Sequence, residues 1–397
     1  MAKHGGRRRL GRIVCLGLLV GIMTYPAPLT RAVTGTNPSN QWAPVPFDAL
    51  PGDSYQRVSA LEVYSNALYI SVQTAWPAQI WRTSDGVNWE GIITGTTETA
   101  QPLGDFVMDF AVVEDALFAS TYTSGRGGVI WRTGDGQNWG PVTPLYDSQQ
   151  WYFGLTAFKA KLYAHSTIDD VLAGSVNQVV TTDPEGATWS IAFEPDFAIT
   201  SLSSHGDWLY AGGARASTQQ ACLWRFDGTT WFDVSADVQT SAEGSVLAVG
   251  TFDGQLYAVV NEREPDQRTL ISLWRSADGE HWARLVSDDL DSVRASGYTV
   301  IKAALVVFRD ALFLFTYDLQ SGDVWRSPDG EHWDSVAPSG WLSGNARGVN
   351  PGGAAVFHDQ LWAGLVDIGR PSEVMLYLPI RHPLPSVLNA AGNWSSP

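Results

Sequence analysis

The chain has little to cross-link or anchor it. Of 397 residues only two are cysteine, Cys15 and Cys222. Cys15 lies in a leader-like segment, which leaves Cys222 alone and excludes an intrachain disulfide downstream. Such a chain must be held by a sizeable apolar core, and this length can supply one. Long hydrophobic runs are also missing. The longest clear one, Ile13–Met23, has 11 residues, too few to span a bilayer as a helix. Positive charge is scarce, with 25 Lys and Arg against 41 Asp and Glu. Metal and nucleotide signatures are wanting too: no His-x-x-x-His, no paired cysteines and no Gly-rich phosphate loop.

The scarce positive charge is concentrated at the start. Lys3, Arg7, Arg8, Arg9 and Arg12 precede the apolar run, as in a signal peptide, and residues 1–32 are read as that segment. They hold six of the 25 basic residues and no acidic one, so the remainder carries 19 − 41, or −22. Such a charge disfavours nucleic acid and anionic membrane surfaces as partners. The sequence therefore predicts an exported, extracellular or cell-envelope monomer with no membrane span in its mature part.

What is abundant is tryptophan, 18 residues, and it recurs in a phrase. Trp81–Trp89 reads WRTSDGVNW, and the phrase returns at Trp131–Trp139, Trp274–Trp282 and Trp325–Trp333. A shortened copy covers Trp224–Trp231 and a degraded one Thr181–Trp189. Asp-Gly between β-type runs predicts a tight hairpin, because glycine takes positive φ without steric cost. The carboxylates of Asp85, Asp135, Asp183, Asp227, Asp278 and Asp329 are then structural acceptors for turn amides, not catalytic groups. Arg82, Arg132, Arg225, Arg275 and Arg326 recur with the phrase and are assigned to the same clamp. His281 and His332 fill one position in two copies, so they are repeat features and not a ligand pair.

A second repeat runs in step: an apolar strand, a polar turn, then Leu and an aromatic. Its anchors are Leu68, Leu117, Leu162, Leu209, Leu256, Leu312 and Leu361, separated by 49, 45, 47, 47, 56 and 49 residues. Each unit reads as strand, turn, strand, loop, strand, Asp-Gly turn, strand, which is one blade of a propeller. The expectation is an all-β, seven-bladed propeller of four-stranded blades over residues 33–378. The last unit has a third strand near Glu373–Leu378 and no fourth. The Trp42 strand has the outer-strand pattern and is expected to complete that blade and close the ring. Residues 379–397 are read as a Pro- and Ser-rich tail.

The phrase resembles the Asp-box of BNR-repeat β-propellers, a family that includes sialidases and sortilin-type receptors. That pattern is Ser/Thr-x-Asp-x-Gly-x-Thr-Trp. In this chain Gly follows Asp directly and Trp comes one residue sooner. The resemblance implies a propeller and leaves the subfamily open.

Blade order puts the inner hairpin turns and Asp-Gly turns on one face. The variable loops and blade connections fall on the other, as binding loops on a rigid scaffold do. That second face collects Arg57, Arg126, Arg215, Arg294, Arg347 and Arg370, with Trp151, Tyr152, Tyr298 and Trp341. Arginine suits carboxylates and aromatic faces suit stacking. The reading preferred from these residues is non-catalytic recognition or scaffolding of a glycan or protein ligand. The alternative is a sialidase-like glycoside hydrolase using those arginines. Against it, residues 33–80 lack the Phe/Tyr-Arg-Ile-Pro motif of family sialidases, and seven blades depart from their usual six. No cofactor or metal ligand set is expected. The acidic loop Asp288–Asp291 is the weakest of the candidates, for Ca²⁺.

Overall fold

The computed structural model describes residues 42–45, 57–73, 77–94, 103–124, 126–143, 150–170, 174–238, 240, 243–263, 269–285, 302–317, 322–336, 347–367 and 374–377. They form strands only, β1 (Trp42–Val45) to β28 (Val374–Tyr377). Among the described residues no helix is long and apolar enough to cross a membrane.

The first full unit shows the plan. Strand β2 (Arg57–Tyr64) turns at Ser65-Asn66 into β3 (Ala67–Gln73), then β4 (Gln79–Thr83) and β5 (Glu90–Ile93), each antiparallel to the last. Ser65 and Asn66 both take positive φ, 47° and 59°, the conformation of a two-residue hairpin that follows strand twist. The innermost strands of later units are β6 (Phe106–Val113), β10 (Gln150–Phe158), β14 (Phe197–His205), β18 (Gly244–Phe252), β22 (Lys302–Phe308) and β26 (Arg347–Phe357). Each packs beside the next, and β26 returns to β2.

The expected count of seven blades is corrected. Hydrogen bonding divides the propeller into six sheets, five of four strands and one of eight. The first and last units share the wide sheet, in the order β1-β28-β27-β2-β3-β4-β5 with β26 on β27 (Gln360–Asp367). A single bridge joins them. The four residues of β28 pair with Leu361–Gly364, and Val366 of β27, which pairs with Gly348 of β26, also pairs with Arg57 of β2. The blade count therefore gives no argument against a sialidase-like chain. Trp42 pairs with Tyr377 and Val45 with Val374.

The core is a set of layers between sheets, not one mass. Ala60, Tyr69 and Ile80 of the first unit pack on Val107, Phe110 and Trp131 of the second. The two halves of the wide sheet meet through Val58, Leu61, Leu68 and Trp81 against Phe357 and Trp362. Close approach near the axis needs glycine. A Cβ at Gly364 would lie 2.6 Å from Val58 and one at Gly250 2.7 Å from Leu305.

Trp42 carries the seam between the chain's two ends. It is 4% exposed and its indole N–H donates to the Val336 carbonyl at 2.8 Å. Its ring meets Tyr377 and Phe315 edge-on at 5.1 and 6.4 Å. Trp42→Ala is expected to cost about 3–5 kcal/mol, the range for truncating a buried Trp, read as a lower urea midpoint.

Candidate functional site

The Asp-Gly turns are closed hydrogen-bond circuits. Asp85 Oδ1 accepts the Val87 and Asn88 amides at 2.9 and 2.7 Å, and Oδ2 accepts the Asn88 side chain at 2.7 Å. Thr83 Oγ1 accepts the Gly86 amide at 2.8 Å. Asp135 repeats this with Thr133 and Asn138. At Asp278 and Asp329 a histidine replaces asparagine, His281 and His332 pairing through Nδ1 at 2.8 and 2.7 Å. The variant copies keep part of the circuit: Asp183 accepts the Ala187 amide, and Asp227 accepts the Thr229 and Thr230 amides. Hydrogen bonds to the ionised form hold these carboxyls low. Those from the His281 amide and ring bring Asp278 to about 2, and those from Asn88 and Val87 carry Asp85 below the usual carboxylate range.

The turns at Asp183, Asp278 and Asp329 are also held by an arginine of the sheet before them. Arg225 donates to the Asp278 carbonyl at 3.0 Å, pairs with Glu280, and lies 3.8 Å over the Trp208 ring. Arg275 pairs with Glu331 at 2.6 Å, and Arg132 donates to the Pro184 carbonyl at 2.6 Å. Arg82 donates to Tyr69 at 3.2 Å and pairs with Glu90 at 2.9 Å. Tyrosines complete the grip. A Cβ at Gly279 would fall 2.1 Å from the Tyr210 hydroxyl, and one at Gly330 2.1 Å from that of Tyr257. Gly279→Ala thus meets both a positive φ of 72° and a clash. It is expected to lower the melting temperature well beyond Gly254→Ala, whose φ of 71° is alike but whose Cβ has open space. Tyr210→Phe should restore part of the loss.

On the opposite face the structure gathers part of the anticipated set. Strands β6, β7 (Ala116–Thr123) and β10 bring Phe106, Tyr122 and Trp151 together. Tyr122 meets Phe106 at 5.9 Å and Trp151 edge-on at 5.4 Å. Beside Tyr122, the turn Thr123–Arg126 is fixed by the Arg126 amide on the Thr123 carbonyl and the Ser124 amide on Asp105. The Arg126 side chain is exposed, with no hydrogen bond or ion pair among the described residues. The Trp151 indole nitrogen is buried without a partner among the described residues.

The other anticipated residues fare differently. Arg215 is occupied by Asp233 at 2.5 Å and Ser235 at 3.3 Å. Tyr152 is buried against Trp189, and burial pushes its phenol up to about 12. Arg57 and Arg347 are placed by backbone alone, at the second-face ends of β2 and β26. Arg294, Arg370, Tyr298, Trp341 and the Asp288–Asp291 loop lie outside the described residues. Sequence reasoning passed over Phe106 and Tyr122. Their signal is position: an aromatic at the loop-face end of an inner strand, and another where its hairpin partner ends.

It also passed over the axis. The inner strands carry Glu62, Asp109 and Lys302 there. Asp109 accepts the Phe110 and Leu155 amides at 2.9 and 3.0 Å, bridging adjacent units. Burial raises Glu62 to about 7 and Asp109 to about 6, and depresses Lys302. A carboxyl raised in the folded state keeps its proton after the unfolded one has lost it. Stability therefore falls as pH rises from about 4 toward 7. Glu62→Gln should remove its share of that fall. Its gain over wild type should be negligible at pH 4 and grow to roughly 1–3 kcal/mol by pH 7.5, allowing for partial exposure. Denaturant titrations at several pH values check this.

No protein-family model matches the chain, and no curated protein matches its sequence. Solved structures do resemble it. The GH74 xyloglucanase of Xanthomonas campestris aligns with a TM-score of 0.51 at 16% identity, over 84% of this chain and 55% of that one. The acylaminoacyl peptidase of Pyrococcus horikoshii aligns at 0.52 and 10% identity, over 81% and 51%. The β-propeller domain of the trilobed protease of Pyrococcus furiosus aligns at 0.50 and 10% identity, over 81% and 95%. The chain spans about half the length of the first two. At these identities the likeness shows the fold, a β-propeller, and nothing of activity.

Proposed function

We propose that this chain is an exported, non-catalytic β-propeller for recognition or scaffolding, whose loop face binds a glycan or protein ligand. One observation carries the reading: Phe106, Tyr122 and Trp151 sit together on that face, and Arg126, in the turn after Tyr122, is exposed with no hydrogen bond or ion pair among the described residues. Aromatic rings offer stacking surface, and a guanidinium offers paired donors to a carboxylate. On the Asp-Gly face, by contrast, Arg82, Arg132, Arg225 and Arg275 are consumed by carbonyls and carboxylates. Export is supported by the basic start and short apolar run of residues 1–32.

The test is a glycan array and a pull-down from secreted protein, run with the full chain, Trp151→Ala, Arg126→Ala and the opposite-face control Arg309→Ala. Each loop-face variant is expected to weaken a retained ligand by about tenfold or more, or 1.4 kcal/mol, with Arg309→Ala unchanged. Wild-type binding by both loop-face variants places the site elsewhere. Release of a sugar from a fluorogenic sialoside, lost on replacing a loop-face arginine, would establish the hydrolase alternative instead.

A further inference from the structure

The sequence holds six Asp-Gly pairs: Asp85-Gly86, Asp135-Gly136, Asp227-Gly228, Asp253-Gly254, Asp278-Gly279 and Asp329-Gly330. This dipeptide is chemically fragile. Glycine has no side chain to shield its amide, so that nitrogen can reach the preceding carboxyl carbon. The structure treats the six very differently.

In the four full turn phrases both reacting groups are engaged. The glycine amides of Gly86, Gly136, Gly279 and Gly330 donate to a Thr or Ser hydroxyl at 2.7–2.8 Å. The aspartate oxygens accept two amides and a side-chain donor. Space is closed as well: Tyr69, Tyr210 and Tyr257 crowd Gly136, Gly279 and Gly330, and Trp362 lies 3.1 Å from a Cβ at Gly86. Asp227 keeps the pinned carboxylate, with Lys159 against Gly228.

Asp253-Gly254 has none of this protection. It forms the hairpin turn between β18 and β19 (Gln255–Arg263), with φ of 47° and 71°. Both residues are exposed. The carboxylate has no hydrogen bond or ion pair among the described residues, the Gly254 amide donates to none of them, and nothing lies within 4 Å of a Gly254 Cβ.

We propose that Asp253-Gly254 is a site of spontaneous aspartate isomerisation, from which the four full turn phrases are exempted by their hydrogen bonds. The Gly254 nitrogen attacks the Asp253 side-chain carboxyl carbon and forms a C–N bond. The C–OH bond of the protonated carboxyl breaks, and its hydroxyl leaves with the amide proton as one water. The product is a five-membered succinimide. Water then adds to either ring carbonyl. Opening at the side-chain carbonyl restores aspartate. Opening at the main-chain carbonyl breaks the original peptide C–N bond and leaves isoaspartate. The net change is an isomerisation, with no oxidant or reductant. The backbone gains one methylene and an exposed α-carboxylate, the kind of group a protein carboxyl methyltransferase esterifies.

The experiment ages the folded full chain at 37 °C in ¹⁸O-water and maps its peptides by mass spectrometry with fragmentation that separates isoaspartate from aspartate. The Asp253 peptide should gain isoaspartate and ¹⁸O at least about tenfold faster than those holding Asp278 or Asp329, a barrier difference of at least about 1.4 kcal/mol. In urea the rates should converge. Ser276→Ala, and separately Ser327→Ala, free the Gly279 or Gly330 amide and should raise isoaspartate at Asp278 or Asp329 alone. If the folded Asp253 peptide is no faster than the others, or converts only in urea, the proposal fails.

Discussion

The architecture rests on one contact made repeatedly: an Asp-Gly turn whose own polar groups are satisfied, seated against the sheet before it. A four-stranded sheet has two apolar faces and cannot bury both alone. The turn supplies the positional key for stacking. Its carboxylate accepts the amides of the turn, and the glycine, lacking a Cβ, lets a tyrosine hydroxyl approach. The preceding arginine then reaches a carbonyl or carboxylate of the seated turn. Each sheet fixes the next, and packing between sheets follows from that registration.

This use of the turns divides the molecule into unlike faces. The Asp-Gly face spends its arginines, tyrosines and carboxylates on neighbouring sheets. The opposite face is built from connections whose length varies between units, so repetition cannot assign their side chains fixed partners. Arg126 and Arg215 illustrate the two outcomes. Both follow a second strand. Arg215 folds back onto Asp233 of its own sheet and is used up, whereas Arg126 has no ion pair among the described residues.

The repeat was legible because it is chemical. The phrase, the Leu-aromatic pairs and the strand order of each unit could all be read from spacing, and so could the pairing of the Trp42 strand with Val374–Tyr377. The number of sheets could not. It depends on one bridge, Val366 to Arg57, that joins the first and last units into a single sheet, and no local motif encodes such edge pairing. The loop-face group was half legible: Trp151 and Arg126 stand out by type, while Tyr122 reads only as one residue of the Thr121–Gly128 loop and Phe106 cannot be placed until the sheet ends are known. Glu62, Asp109 and Lys302 were invisible for a related reason. They occupy strand positions that are apolar or small in other units, and only the ring brings them to one axis.

In the variant copies a different group meets the turn. Where the phrase is intact, the preceding unit offers a large aromatic to the glycine: Trp362 to Gly86, Tyr69 to Gly136, Tyr210 to Gly279 and Tyr257 to Gly330. Ahead of the degraded turn at Asp183 the equivalent residue is Phe118, which has no hydroxyl. There Gly186 lies against Val142, and Arg132 takes the Pro184 carbonyl in place of an acidic side chain. Ahead of the shortened turn at Asp227, Lys159 reaches the Asp227 carbonyl from a hairpin turn. A drift in one half of the contact is therefore met by a different donor in the other. That is the pattern expected if seating the turn is the constraint and the particular residues are its interchangeable means.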